Sequence, residues 1–312
     1  MKLVIQIPCY NEEDTLLTTL EALPKAVNGF EEVAVLVIND GSTDKSREIA
    51  EQYGAEILDI RPNKGLANAF RSGLQKALSL GADVIVNTDA DNQYNALDIG
   101  VLTEPILKGE ADIVVGARNI AGIKDFTLLK KVLQKVGSAV LRMISSTAVD
   151  DAPSGFRAFS REAALRLNVF DNYTYTMETL IQAGAKGLKV KSVPIKVNAK
   201  LRDSRLVKNI FDYVFRSAKT TIRMFIVYRP FRFFITFAAL FAILGILPII
   251  RFLYLFLTGA GNGHVQSLIF SAIFLIASVQ FAIVAIIGDL LSINRKLLED
   301  VQIRLKRNEI QK

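Results

Sequence analysis

Two long stretches without a charged side chain constrain this chain more than any other feature. Phe233 to Ile250 runs uncharged, Arg251 interrupts, Phe252 to Leu257 is apolar again, and Val265 to Gly288 forms a second uncharged run. As helices rising 1.5 Å per residue, both are long enough to cross a hydrocarbon layer of about 30 Å. With 312 residues, 51% of them hydrophobic, the chain reads as a globular part followed by membrane segments. The link Thr258-Gly-Ala-Gly-Asn-Gly-His264 is short and almost uncharged, so the spans should form a hairpin, with Pro248 kinking the first near its outer end.

Charge orients that hairpin. The net charge of +7 is compatible with nucleic acid, a lipid surface or a phosphate-rich substrate. The conspicuous cations flank the spans: Lys200, Arg202, Arg205, Lys208, Arg216, Lys219, Arg223, Arg229 and Arg232 before the first, and Arg295, Lys296, Arg304, Lys306 and Arg307 after the last. This favours a lipid bilayer over nucleic acid, and the positive-inside rule puts both termini and the globular domain in the cytoplasm, with Arg251 reaching the far interface. Leu206, Ile210, Val214, Ala218, Ile222 and Phe225 recur at helical spacing, as in a helix lying among headgroups. The expected organisation is a globular domain over 1–204, an amphipathic interfacial helix over 205–230, two transmembrane helices over 231–290 and a basic C-terminal helix or tail over 291–312. The membrane is the plasma membrane of a prokaryote or that of the endoplasmic reticulum, and homo-oligomerisation stays open. The lone Cys9 excludes an internal disulfide and a cysteine metal cluster, and Met1 to Asn11 lacks the pattern of a secretory signal. His264, in the outer turn, is assigned no role.

In the globular part, apolar runs alternate with helical patterns: Leu3 to Ile7 then Glu12 to Leu23, Val33 to Ile38 then Thr43 to Tyr53, Glu56 to Ile60 then Gly65 to Leu80, Val84 to Val86 then Leu97 to Leu107, and finally Ile113 to Val115. The rhythm predicts an α/β domain with a doubly wound, mostly parallel sheet, whose ligands bind beyond the carboxyl ends of the strands. Polar clusters stand at those ends: Pro8-Cys-Tyr-Asn-Glu-Glu13, Asn39-Asp-Gly-Ser-Thr-Asp44 and Asp89-Ala-Asp-Asn-Gln93. Asn11, Ser42 and Thr43 could cap the helices that follow, but capping does not account for the acids. Asp89 and Asp91 alternate onto one side of a strand end, where two carboxylates repel unless a cation lies between them. With Gln93 they suit Mg²⁺ or Mn²⁺ that also grips a diphosphate, and no His or Cys set exists for zinc. Neither a dinucleotide glycine fingerprint nor a P-loop occurs.

These motifs in this order, with Gly116-Ala-Arg118, Ser154-Gly-Phe-Arg157 and the terminal hairpin, resemble family 2 glycosyltransferases of the GT-A (Rossmann-like) fold, in the polyisoprenyl-phosphate branch that includes dolichol-phosphate mannose synthases and undecaprenyl-phosphate glucosyltransferases. The resemblance covers residues 1 to about 230. It implies inverting transfer of one sugar from a UDP- or GDP-sugar donor to a dolichyl or undecaprenyl phosphate acceptor. Pro8, Tyr10, Glu12 and Asp40 would contact the donor's base and ribose, and Asp89, Asp91 and Gln93 would hold the metal on its diphosphate. Arg118 would bind the acceptor phosphate, helped by Lys130 or Lys131, and Arg202 and Arg205 would close over the donor phosphates. An already anionic phosphate oxygen needs no general base, so positioning and charge screening suffice. Transfer to a lipid hydroxyl such as that of diacylglycerol would need one, and Glu178 is the spare acid. A processive polysaccharide synthase is disfavoured by the absence of Trp and the two spans, and a catalytically inactive membrane adaptor by the intact acids.

Overall fold

The computed structural model describes residues 1–118, 149–170, 174–199, 210–259 and 265–310, together with 137–139, 142, 145 and 147. The chain divides into two compact units, Met1–Thr221 with Ile303–Lys312, and Ile222–Gln302.

The first unit is built on one seven-stranded sheet of strands β1 (Lys2–Cys9), β2 (Glu32–Asn39), β3 (Glu56–Asp59), β4 (Val84–Asn87), β5 (Ile113–Arg118), β6 (Arg157–Ser160) and β7 (Val190–Ile195), in the order β3-β2-β1-β4-β6-β5-β7. Strand β6 is antiparallel to β4 and β5, and every other pairing is parallel. The central β1 and β4 are buried almost throughout, as an apolar run covered on both faces must be. Helices α1 (Leu16–Glu21), α2 (Ser46–Tyr53), α3 (Leu66–Ser79) and α4 (Ile99–Leu107) follow the first four strands, while α5 (Arg161–Arg166) and α6 (Thr176–Ala185) follow β6. The five apolar runs of the sequence are β1 to β5. The helix expected from Glu12 starts at Leu16, because Asn11 turns to a φ of 54° and the Thr15 and Leu16 amides close a turn on the Glu12 carbonyl at 3.1 and 2.9 Å.

One face of the sheet is sealed by α1 and α4, whose Leu16, Leu20, Ile99 and Leu102 join Ile5, Ile7 and Val86 in a single core. On α3, Phe70 stacks on Tyr175 with ring centres 3.8 Å apart and meets Phe159 edge-on at 5.6 Å. Beside that stack lies Arg157, fully buried at the start of β6. Its guanidinium donates to the carbonyls of Ala152 (2.6 Å), Ser154 (2.8 Å) and Thr176 (2.9 Å) and to Thr179 Oγ1 (2.8 Å). Burial lowers its pKa to about 10. The fork of a guanidinium can hold this many acceptors at once, which is how one side chain fixes the 152–154 loop to the start of α6.

The helix α7 (Ile210–Tyr228) runs from the first unit into the second. In the second unit, α8 (Pro230–Leu257) pairs antiparallel with the first part of α9 (Val265–Ile310). Ser278 Oγ donates to the Ala238 carbonyl at 2.8 Å, Phe237 lies 5.8 Å from Phe281, and Phe241 lies 5.8 Å from Phe274. Gly245 allows the close approach, since a Cβ there would stand 2.8 Å from Leu275 Cγ. These contacts make the expected hairpin, and α8 continues through Pro248 as one helix. Outward-facing Ile243, Leu247, Ile250, Ile273 and Ile276 are exposed, as suits helices solvated by lipid.

Replacing Arg157 with Met removes the guanidinium from the Ala152 and Ser154 carbonyls in the interior, and the variant should lose about 3 kcal/mol of stability, read as a lowered midpoint of thermal unfolding. Cys9 is buried and its thiol is pushed up to about 12 by desolvation. The folded protein should therefore show no mass increase with a maleimide at neutral pH, and the urea-unfolded protein should gain one label.

Candidate active site

The order of strands reverses between β1 and β4, so the loops after β1, β2 and β4 open onto one crevice, the position where sheets of this kind bind ligands. The loops are braced against each other, side chain to backbone. Asn11 Oδ1 accepts from the Thr43 amide at 2.8 Å while the Asn11 amide donates to Ser42 Oγ at 3.1 Å. The Glu12 amide donates to Ser46 Oγ at 2.8 Å, and the Glu13 amide to Asp44 Oδ2 at 3.1 Å. The Asp40 carboxylate, 3% exposed, accepts from the Lys64 and Gly65 amides at 2.9 and 2.7 Å, tying the β2 loop to the start of α3.

The loop after β4 carries the acid pair. Asp91 Oδ1 accepts from the Gln93 amide at 3.1 Å, and Asn92 between them has a φ of 54°, a left-handed conformation that Asn tolerates better than most residues. Thr15, just before α1, and Thr19 on it both place Oγ1 2.9 Å from the Ala90 carbonyl, holding the residue between the two acids. From the other side Asn198 clamps the loop: its amide reaches the Gln93 carbonyl at 2.9 Å and its Nδ2 the Asn92 carbonyl at 2.9 Å. Beneath Asp89, Asn87 Nδ2 donates to the Gly155 carbonyl (2.9 Å) and to the Tyr175 hydroxyl (2.8 Å), and Gln6 donates to Asn87 Oδ1 at 2.9 Å. Burial first, then the Asp89 carboxylate, raise the Tyr175 phenol well above its usual range.

Gly155 tests whether this cradle fits a metal. A Cβ there would stand 3.1 Å from both Asp89 oxygens and 3.0 Å from the Tyr175 hydroxyl, so the missing side chain leaves the carboxylate room to turn toward a ligand. Among the described residues no group of three or more His, Cys, Asp or Glu could enclose an ion. The chain thus offers two hard carboxylates and leaves the remaining positions to phosphate and water, a set that fits Mg²⁺ or Mn²⁺.

The other expected residues are distributed as follows. Pro8 is buried in β1, Glu12 is 8% exposed with Oε2 3.2 Å from Thr15 Oγ1, and Tyr10 stands out at 46% exposed. Arg118 ends β5, its Nε and Nη2 on the Asp151 carboxylate at 2.7 and 3.1 Å. Glu178 is fully buried on α6, accepting the Phe170 amide at 3.1 Å and Gln182 Nε2 at 3.1 Å. Lys130, Lys131, Arg202 and Arg205 lie outside the described residues. Sequence reading missed Asp151, Asn198 and the Thr15/Thr19 pair. The four-residue spacing of the threonines put them on one face of a helix and could have flagged them, whereas nothing local marks Asn198 as the partner of a loop 106 residues earlier.

Comparison with known proteins agrees with this architecture. The pattern described as glycosyl transferase family 2 matches residues 4–167, and the chain belongs to that family. It is a glycosyltransferase. It is 31% identical over 212 residues to a UDP-N-acetylglucosamine–dolichyl-phosphate N-acetylglucosaminyltransferase of Methanococcus voltae, covering 61% of this chain and 83% of that one. An undecaprenyl-phosphate mannosyltransferase of Micrococcus luteus is 28% identical over 218 residues, covering 66% and 88%. A dolichol-phosphate mannosyltransferase of Pyrococcus furiosus is 31% identical over 228 residues, covering 69% and 62%. Among solved structures, glucosyl-3-phosphoglycerate synthase of Mycobacterium tuberculosis, crystallised with Mn²⁺, uridine diphosphate and phosphoglyceric acid, aligns with a TM-score of 0.55 at 21% identity over 72% of this chain and 77% of that one, a likeness of fold.

A methyl group at Gly155 should crowd the Asp89 carboxylate. Gly155→Ala is expected to weaken Mn²⁺-dependent binding of a nucleoside diphosphate by about 10–100-fold, measured by calorimetric titration.

Proposed function

We propose that the chain transfers a single sugar, with inversion, from a UDP- or GDP-sugar to a polyisoprenyl phosphate, dolichyl or undecaprenyl, at the cytoplasmic face of its membrane. One observation carries this reading. An acid pair fit for a diphosphate-bound ion occurs in a chain that ends in an apolar helical hairpin and is 28–31% identical to three enzymes named for transfer to polyisoprenyl phosphates.

In this reading Pro8, Tyr10, Glu12 and Asp40 form the nucleoside side of the crevice. Asp40 acts through the Lys64 and Gly65 amides it holds, and the exposed Tyr10 ring offers a surface for the base. Asp89, Asp91 and Gln93 hold Mg²⁺ or Mn²⁺, which when bound offsets the charge of the departing nucleoside diphosphate. Asp151 engages Arg118 through Nε and Nη2, fixing the guanidinium plane and leaving Nη1 to meet an acceptor phosphate. Lys130 and Lys131 would assist there, and Arg202 and Arg205 would cover the donor phosphates. The acceptor oxygen is already anionic, so no side chain need remove a proton. Glu178, buried on the Phe170 amide, supports this base-free chemistry over attack by a lipid hydroxyl. The cations flanking the hairpin support a cytoplasmic catalytic unit with both termini on that side.

The test is a panel of UDP- and GDP-sugars offered with Mn²⁺ and a short polyisoprenyl phosphate. The expected result is a lipid-phosphate glycoside whose formation falls roughly 10²-fold or more in Asp91→Ala. Product on diacylglycerol and none on any lipid phosphate would overturn the proposal.

A further inference from the structure

Past Gly288 the helix α9 does not stop. It continues unbroken to Ile310, adding roughly 33 Å at 1.5 Å per residue. This extension carries charges throughout, yet several large apolar side chains on it face outward. Leu291 is 63% exposed, Leu298 67%, Val301 52% and Leu305 56%. Their spacing is regular: positions 291, 298 and 305 repeat every seven residues, and 294, 301 and 308 fall between them as Asn, Val and Asn. That alternation of three and four residues is the a/d seam of a coiled coil.

The contacts α9 makes within its own chain use the opposite side. Ser292 and Glu299 are buried, Arg295 lies 3.8 Å from the centre of the Tyr228 ring, and Lys306 donates to Asn168 Oδ1 at 3.0 Å. At about 100° per residue these positions cluster on one flank of the helix and the seam on the other.

We infer that α9, beyond the membrane, pairs in parallel with α9 of a second copy of this chain through Leu291, Leu298, Val301 and Leu305. The inference rests on the membrane reading of the hairpin but not on its chemistry. Lipid does not cover the seam from Leu298 onward, because Leu298 to Leu305 stand roughly 15–25 Å beyond Gly288 along the axis, past a headgroup layer only about 5–7 Å deep. The bilayer also selects the partner. Every copy inserts in the same direction and at the same height, so two α9 helices meet parallel and in register. In that register Arg304 faces Glu309 of the second copy across the flank of the seam, and Leu297 faces Gln302, with no pair of like charges. Asn294 and Asn308 at seam positions penalise slipped registers. A seam of roughly three heptads is weak for free peptides, but confinement to one bilayer raises the effective concentration of the partner.

The experiment uses the full chain in native membranes and, once purified, in mild detergent. Val301→Cys should give a covalent dimer on mild oxidation, while Lys296→Cys, on the side away from the seam, should not, and the buried Cys9 offers no competing thiol. In the same membranes, adding Leu298→Glu and Leu305→Glu should abolish the Val301→Cys cross-link, while the purified triple variant keeps its helical circular dichroism in detergent. The proposal is overturned if Val301→Cys cross-links no more than Lys296→Cys, if its cross-linked product has the mass of a different partner, or if the Leu298→Glu and Leu305→Glu substitutions leave the cross-link intact. None of these readouts depends on sugar transfer, so an error about the reaction would leave them unchanged.

Discussion

The site depends on side chains that hydrogen-bond to the backbone of a neighbouring loop. Thr15 and Thr19 hold Ala90, Asn198 holds Asn92 and Gln93, Asp40 holds Lys64 and Gly65, and Asn11 holds Thr43. Loops at a strand edge have few backbone partners of their own, and a buried amide or carbonyl without one is costly. Each loop here receives its partners from the next, so none can move far alone. This is what fixes the loop that bears Asp89 and Asp91 at the end of β4: the backbone on either side of Asp91 is tied by Thr15 and Thr19 and by Asn198 after β7.

The alternation of strands and helices through β5 was legible in the sequence because buried parallel strands and amphipathic helices each write their period locally. The acids and the loops that bear them were legible for a related reason, since residues just past a strand end are the ones a doubly wound sheet presents to ligands. Strand β6 was harder. It is four residues long, and its first residue is an arginine that conventional patterning assigns to a surface. Arg157 is buried because its fork is saturated by carbonyls and a hydroxyl, and those acceptors come from Ala152, Ser154, Thr176 and Thr179, groups that converge only in the fold. The burial of Glu178 was hidden in the same way: a carboxylate in a helical segment reads as exposed until the Phe170 amide is found on it.

The hairpin follows a different physics. In a lipid phase apolar burial between helices contributes little, and close packing with occasional polar contacts takes its place. Gly245 against Leu275 and Ser278 against the Ala238 carbonyl are contacts of that kind. A hydropathy scan finds the spans and is blind to these contacts, because it reads composition and not shape.

Because β6 runs against its neighbours, its beginning lies where theirs end. The chain therefore enters the ligand edge twice from the same side of the sheet, once through the parallel strands β1, β2 and β4 and once through the 149–156 approach to β6. The antiparallel strand acts as a seam in the sheet: β3-β2-β1-β4 form one panel, and β5-β7 form another hinged to it through β6. Substitutions in the second panel can reshape one wall of the crevice without altering the register of the strands that deliver the acid pair, provided that the Asn198 contacts to Asn92 and Gln93 are kept.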